Sequence, residues 1–235
     1  MKEEKGKKKI NLLLRFDKGI TEDEINSIKN GVEIFTKMFE GVSYRVYPAS
    51  DEKSYKIFEI AKNKLKKGKQ LEVATASFSP LLKEDPFKKR REGSISYVES
   101  NRDIPLFVYS AGFPIFVFNE DITVENIGFI IGIGCWGSYT IISPIRFREL
   151  NKELKDLCLK VQLWHEIGHL FGAPDLSRAI NKLGPHDPDE IICVMRQGIK
   201  VPEDWIRFAE DYKREDIIYC DWCKKVIRKN LKQRL

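Results

Sequence analysis

The sequence predicts an α/β protein, strictly α+β: a twisted mixed β-sheet with packed helices, joined to a small helical C-terminal subdomain. Three features carry that expectation. Short β-type runs alternate with helix-period segments through the first part of the chain. Apolar residues then recur at Phe147, Leu150, Leu154, Leu157, Val161, Trp164 and Gly168, a helical spacing held for about six turns. After Gly172 the texture turns loop-rich, with Pro174, Gly184, Pro185 and Pro188.

Residues 10–16, INLLLRF, read as a strand. Thr21 with Glu24 makes a capping-box start for a helix to about residue 39, with Ile25, Ile28, Val32 and Phe35 on one face. Val42 to Tyr47 reads as a strand, Lys56 to Leu65 as a second helix and Leu71 to Ser77 as a third β segment. Residues 79–103 are polar and loop-rich. Leu106 to Tyr109, Phe113 to Phe118, Gly128 to Gly134 and Tyr139 to Ile142 are β-rich runs, with Gly137 and Ser138 as a turn between the last two. Ser143-Pro144 supplies a Ser cap and a Pro at the first helical position, so the long helix is expected to start there. Residues 203–212 and 221–233 read as short helices. The expectation is one domain over residues 1–235, with an N-terminal subdomain to about 172 and a C-terminal one from about 173.

Composition narrows the function. A chain of 235 residues buries enough surface to fold without a disulfide framework. No apolar run approaches the ~18–20 residues of a membrane span, and MKEEKGKKKINLLLRF has too short an apolar stretch for a signal peptide. A soluble cytoplasmic protein with no membrane partner is expected, and its five cysteines are then thiols or metal ligands. The net charge of +6 is modest. The basic runs Lys7 to Lys9 and Lys88 to Arg91 read as solvated segments, so nucleic acid is not the expected partner.

The chemistry concentrates at the end of the long helix, His165-Glu166-Ile167-Gly168-His169-Leu170-Phe171-Gly172-Ala173-Pro174-Asp175. His165 and His169 lie four apart, so both imidazoles leave one helix face and can meet on one Zn²⁺. Glu166 stands about 100° round the helix, where its carboxylate can reach a water on the metal as general base without ligating the ion. A straight helix would carry residue 175 ~9 Å past His169. Gly172 can take positive φ and reverse the chain, bringing Asp175 back as a third ligand. Two His and a carboxylate form an accepted catalytic zinc set. Cys158, on the apolar face, and Cys135, beside Trp136, read as packed thiols.

HEIGHLFGAPD resembles the zinc signature of the metzincin peptidases, HExxHxxGxx followed by a third ligand. Most metzincins have His there, and snapalysin-like members have Asp, as at Asp175. Cys193-Val194-Met195 and Cys220-Asp221-Trp222-Cys223 resemble the archaemetzincins, which pair a CVM segment with a later CxxC. GFIIGIG and SYTIISPIRF are similar in order and texture to their edge strand and the strand before the active-site helix. The resemblance covers about residues 128–230 and implies a metzincin-like zincin fold with the cleft between the two subdomains. It implies that His165, His169 and Asp175 bind a catalytic Zn²⁺, with Glu166 as the base and Met195 as the Met-turn residue beneath the metal. It further implies that Cys193, Cys220 and Cys223 belong to a second, structural Zn²⁺; the CxxC spacing, which lets two thiolates grip one ion, agrees.

Two departures leave the ligand sets open. Archaemetzincins have a Cys directly after the third ligand, where this chain has Leu176, and the stretch from Asp175 to Cys193 is longer than theirs. That stretch contains His186. Either Asp175 is the third catalytic ligand and His186 completes a Cys₃His structural site, or His186 binds the catalytic ion and the structural site needs Asp187 or another group. His186 can also be a plain loop histidine. The leading function is a zinc peptidase that holds a peptide or protein substrate by β-augmentation at an exposed edge strand around Gly128 to Gly134. The alternatives are a protease acting on DNA-bound proteins and an inactive zinc-stabilised adaptor.

Overall fold

The computed structural model describes residues 9–52, 55–56, 59, 112–124, 128–134, 136–137, 139–174, 192–198 and 200–233. The chain opens with β1 (Ile10–Phe16), α1 (Glu22–Met38) and β2 (Val42–Tyr47), and β1 and β2 pair in parallel. β3 (Phe113–Val117) joins the other side of β1, also in parallel. β4 (Ile122–Val124) and β5 (Gly128–Ile130) form a separate antiparallel pair. β6 (Gly132–Gly134) and β7 (Thr140–Ile142) complete a sheet of order β2-β1-β3-β7-β6, in which β7 runs parallel to β3 and β6 runs antiparallel at the edge. α2 (Lys152–Leu170), α3 (Glu203–Glu215) and α4 (Asp221–Lys232) follow. A mixed sheet with packed helices is the predicted class.

α1 begins where the capping box predicts. The Thr21 hydroxyl accepts from the Glu24 N–H at 3.3 Å, and the Glu24 carboxylate accepts from the Thr21 N–H at 2.9 Å. Ile28, Val32 and Phe35 are fully buried against the sheet. On the strand side, Leu12 and Leu14 face the same core, while Leu13 and Arg15 on the opposite face are buried too. Burial on both faces is the mark of a parallel strand and explains the unbroken LLL of β1.

Two predicted elements are corrected. The long helix does not start at Ser143-Pro144. Ile145–Phe147 form a 3₁₀ turn, and α2 begins after Asn151, whose side chain accepts from the Leu154 N–H at 3.0 Å. Asn151 is the stronger cap, because its carbonyl oxygen satisfies an orphan N–H of the first turn of α2. Ser143 lies one residue before the Pro144 cap of the 3₁₀ turn and accepts only a 3.4 Å contact from the Ile145 N–H. Arg148 at the exit of that turn is drawn to Glu24 of α1, at 2.8 Å, and the chain bends there.

Gly128 to Gly134, predicted as one strand, is two. The break falls at buried Ile131, whose carbonyl takes both the Ser143 N–H, at 2.8 Å, and the Gln162 side-chain amide. The C-terminal helices fall where expected, the first three residues longer than predicted and the second one shorter. Leu71 to Ser77, residues 79–103, Leu106 to Tyr109 and most of Lys56 to Leu65 lie outside the described residues. No described helix is long and apolar enough to cross a membrane.

Candidate metal centre

α2 closes with a Schellman turn. The Gly172 N–H donates to the His169 carbonyl and the Ala173 N–H to the Gly168 carbonyl, both at 2.9 Å, with Gly172 at φ +81°. This places the Ala173 carbonyl back over the helix end, where it accepts from His169 Nδ1 at 3.0 Å. His165 Nδ1 donates in turn to the Val194 carbonyl at 2.6 Å. A carbonyl only accepts, so both imidazoles carry their proton on Nδ1.

With their protons on Nδ1, the two rings turn their Nε2 lone pairs toward each other at 3.0 Å. Two lone pairs at that distance repel unless a cation lies between them. Two nitrogens on one tetrahedral Zn²⁺ at ~2.0–2.1 Å would lie about 3.3 Å apart, so the pair is set close to ligand geometry. Protonation is the rival explanation. Burial, and then the neighbouring His165, push His169 down to about 3, which disfavours a shared proton at neutral pH. The donor set fits a divalent metal with hydrogen-bonded imidazole ligands.

Glu166 is 4% exposed and wedged between α2 and β6. A Cβ on Gly132 would lie 2.6 Å from Glu166 Oε1, and one on Gly134 2.2 Å from the Glu166 carbonyl oxygen. The period-two glycines of β6 let the edge strand lie flush on the helix. Burial pushes Glu166 up to about 8, against the Gly134 N–H that lowers it. A cation at the facing imidazoles would pull the carboxyl back toward its ionised form.

These two groups predict the pH dependence of the metal-free protein. Glu166 sits above its ordinary 4.5, so its share of stability falls as pH rises from about 4.5 to about 8. His169 sits below its ordinary 6.5, so its share falls as pH drops from about 6.5 to about 3. Between 4.5 and 6.5 the two slopes cancel. Chemical unfolding of the metal-free protein should be flat there and weaken towards pH 8, and Glu166→Gln should remove the alkaline slope.

Met195 is fully buried against the active helix: a Cβ on Gly168 would lie 2.2 Å from its sulfur. Tyr219 packs on the same glycine and donates its hydroxyl to the Trp164 carbonyl. Trp205 of α3 meets the His165 ring edge-on, with centroids 5.1 Å apart. Beside this cluster, the sulfurs of Cys193, Cys220 and Cys223 lie within 4.8 Å of one another, all buried. Cys220 is the N-cap of α4 and Cys223 lies in its first turn. Burial, then the Cys220 thiol, push Cys193 up to about 12, and its two neighbours push Cys223 higher still. A cation among the three sulfurs would reverse this and hold them as thiolates.

The fold thus brings His165, Glu166, His169 and Met195 to one place and Cys193, Cys220 and Cys223 to another. Asp175 and His186, like Cys135 and the 88–91 run, lie outside the described residues. Cys158 is buried among apolar residues, as expected of a packed thiol, and burial first of all pushes it up to about 12. The sequence reading missed the Val194 and Ala173 carbonyls, Tyr219 and Trp205. The glycine pair of β6 was in principle readable, since repeated Gly in a strand marks close backbone approach.

No protein-family model matches the sequence, and neither does any curated protein. Two solved structures are similar. The archaemetzincin of Methanopyrus kandleri superposes with a TM-score of 0.54 at 16% identity, covering 97% of this chain and 98% of that one. The archaemetzincin of Archaeoglobus fulgidus, solved with malonate, gives 0.47 at 17% identity over 93% and 99%. The fold assignment rests on the first of these. With the mixed sheet, the long HExxH helix and the C-terminal helices in the same chain, this protein has an archaemetzincin-like fold.

Proposed function

We propose that the protein is a zinc-dependent peptidase. The observation that carries this reading is the pair of Nε2 atoms facing each other at 3.0 Å, each imidazole held by a backbone carbonyl, beside a buried glutamate. The archaemetzincin-like fold supports it. His165 and His169 would hold the catalytic ion with Asp175 as third ligand, because Gly172 turns the chain back one residue before Ala173-Pro174-Asp175. Cys193, Cys220 and Cys223 would hold a structural ion with His186 as fourth ligand, and Met195 would pack beneath the catalytic one.

When bound, the catalytic Zn²⁺ supplies Lewis acidity to a carbonyl oxygen and to water. The chain does the rest. An extended peptide would add through main-chain hydrogen bonds to the edge of β6, which carries no further strand among the described residues, alongside Glu166. Glu166 would take the proton of the attacking water at a carboxylate oxygen and pass it to the leaving amine nitrogen. Burial raises the proton affinity of this carboxyl, and the bound ion would return it to the ionised form that accepts the proton.

Elemental mass spectrometry on protein purified without a metal-affinity tag tests the reading. Wild type should carry two zinc ions. Asp175→Ala should lose the activity-linked ion, and His186→Ala should lose or loosen the other. Loss of the activity-linked ion with His186→Ala instead would exchange the two assignments. A single ion unaffected by either change would remove the peptidase reading.

A further inference from the structure

Two short segments build the cysteine cluster, and each also reaches the helix that carries the histidines. In residues 193–195 the duties run consecutively. Cys193 gives a sulfur to the cluster, Val194 gives its carbonyl to His165 Nδ1 at 2.6 Å, and Met195 packs on Gly168. In residues 218–220, the Ile218 carbonyl accepts from the Val194 N–H at 2.8 Å, Tyr219 packs on Gly168 and bonds the Trp164 carbonyl, and Cys220 returns to the cluster. The Cys220 N–H also donates to the Cys193 sulfur at 3.4 Å. Gly168 lies between the two histidines, so both arms grip the turn that sets their spacing.

We propose that the three-cysteine cluster acts as a clamp that sets the metal affinity of the His165–His169 pair, with Val194, Met195 and Tyr219 as its positioning residues. The proposal rests on the reading of the two histidines as metal ligands. An ion on the thiolates would lock residues 193–195 to 218–220. The lock holds the Val194 carbonyl where it keeps the His165 proton on Nδ1 and the Nε2 lone pair aimed at His169. Without it the two segments are joined by hydrogen bonds alone, and the carbonyl that orients a ligating imidazole gains freedom. Loss of such an orienting partner typically weakens metal binding about 10–100-fold. A competing anchor exists: Arg196 donates to the Cys193 carbonyl at 3.0 Å and pairs with Asp211 of α3 at 2.7 Å. If that anchor suffices, the thiolates contribute nothing to the histidines.

Cobalt titration of the metal-free protein separates these cases, because thiolate-bound Co²⁺ has charge-transfer bands that a histidine-carboxylate site lacks. In wild type the thiolate site should fill first, and the histidine site should then bind tightly. In Cys223→Ser the charge-transfer bands should weaken, and affinity at the histidine site, read by competition with a chromophoric chelator, should fall about 10–100-fold with unchanged far-ultraviolet circular dichroism. Wild-type affinity at the histidines in Cys223→Ser overturns the proposal. Should Cys223→Ser fail to fold, Tyr219→Phe and Met195→Leu decide. Both keep all three thiols, and both should weaken the histidine site; wild-type affinity in both overturns the clamp. A wild type that takes cobalt only at the thiolates removes the metal reading of the histidines, and the clamp with it.

Discussion

Glu166→Gln should retain both metal ions and lose at least about a hundredfold in peptide hydrolysis, the low end of what general base catalysis supplies. The substitution is close to isosteric. The amide oxygen can still accept the Gly134 N–H, so the side chain stays in its slot between α2 and β6. What disappears is the atom that takes a proton from water. Neither histidine depends on Glu166 for its orientation, since the carbonyls of Val194 and Ala173 hold them. Zinc content and turnover should therefore separate cleanly. Undiminished hydrolysis with zinc in place would end the general-base mechanism. Loss of the ion together with activity would show that Glu166 holds the site rather than working in it.

Gly134→Ala should distort the metal centre more than a methyl group added at either of its neighbouring glycines, Gly132 and Gly168. The added Cβ would lie 2.2 Å from the Glu166 carbonyl oxygen, 2.6 Å from His169 Cβ and 3.0 Å from the Glu166 carbonyl carbon. Two of these are helix backbone, so no rotamer change relieves the overlap, and either β6 or the end of α2 must move. At Gly132 and Gly168 the nearest atoms belong to the side chains of Glu166 and Met195, which can turn aside. Overpacking of this kind costs about 1–3 kcal/mol, and Gly134→Ala belongs at the upper end. For a chain of this size that corresponds to a fall in Tm of roughly 5–10 °C. The same displacement shifts His169 relative to His165, so zinc affinity should drop alongside. Gly198→Ala is a milder comparison. Its Cβ would meet only the Trp205 ring, at 3.0–3.3 Å. A Gly134→Ala protein melting within a degree of wild type would show that β6 does not lie flush on the helix.

Local rules accounted for the elements whose physics is local. The Thr21–Glu24 capping box, the apolar stripe of α1, the run of β1 and the glycine stop at Gly172 are all decided within a few residues. The histidine spacing belongs with them, because a helix places positions four apart on one face whatever surrounds it. Of the two corrected elements, one failed where two local signals competed and the other where no local signal marked a break. Ser143-Pro144 and Asn151 are both legitimate helix starts, and Arg148 between them pairs with Glu24, far away in sequence. Gly128 to Gly134 is uniformly β-prone, and it divides at Ile131, whose carbonyl is taken by Ser143 and by the amide of Gln162, 31 residues away.

Which side chains could hold a metal is legible in the order of residues alone: two imidazoles one helical turn apart, a glutamate beside them and three late cysteines. Tertiary structure decided how those groups are oriented and charged. The proton on His165 is placed by a carbonyl 29 residues away, and the helix turn between the histidines is gripped by Met195 and by Tyr219, whose hydroxyl bond to Trp164 spans 55 residues. Every residue carries a backbone carbonyl, so those that orient a ligand leave no mark in the sequence. The rise of Glu166 to about 8 likewise comes from burial under a strand more than 30 residues earlier, and no pattern of neighbouring letters encodes it.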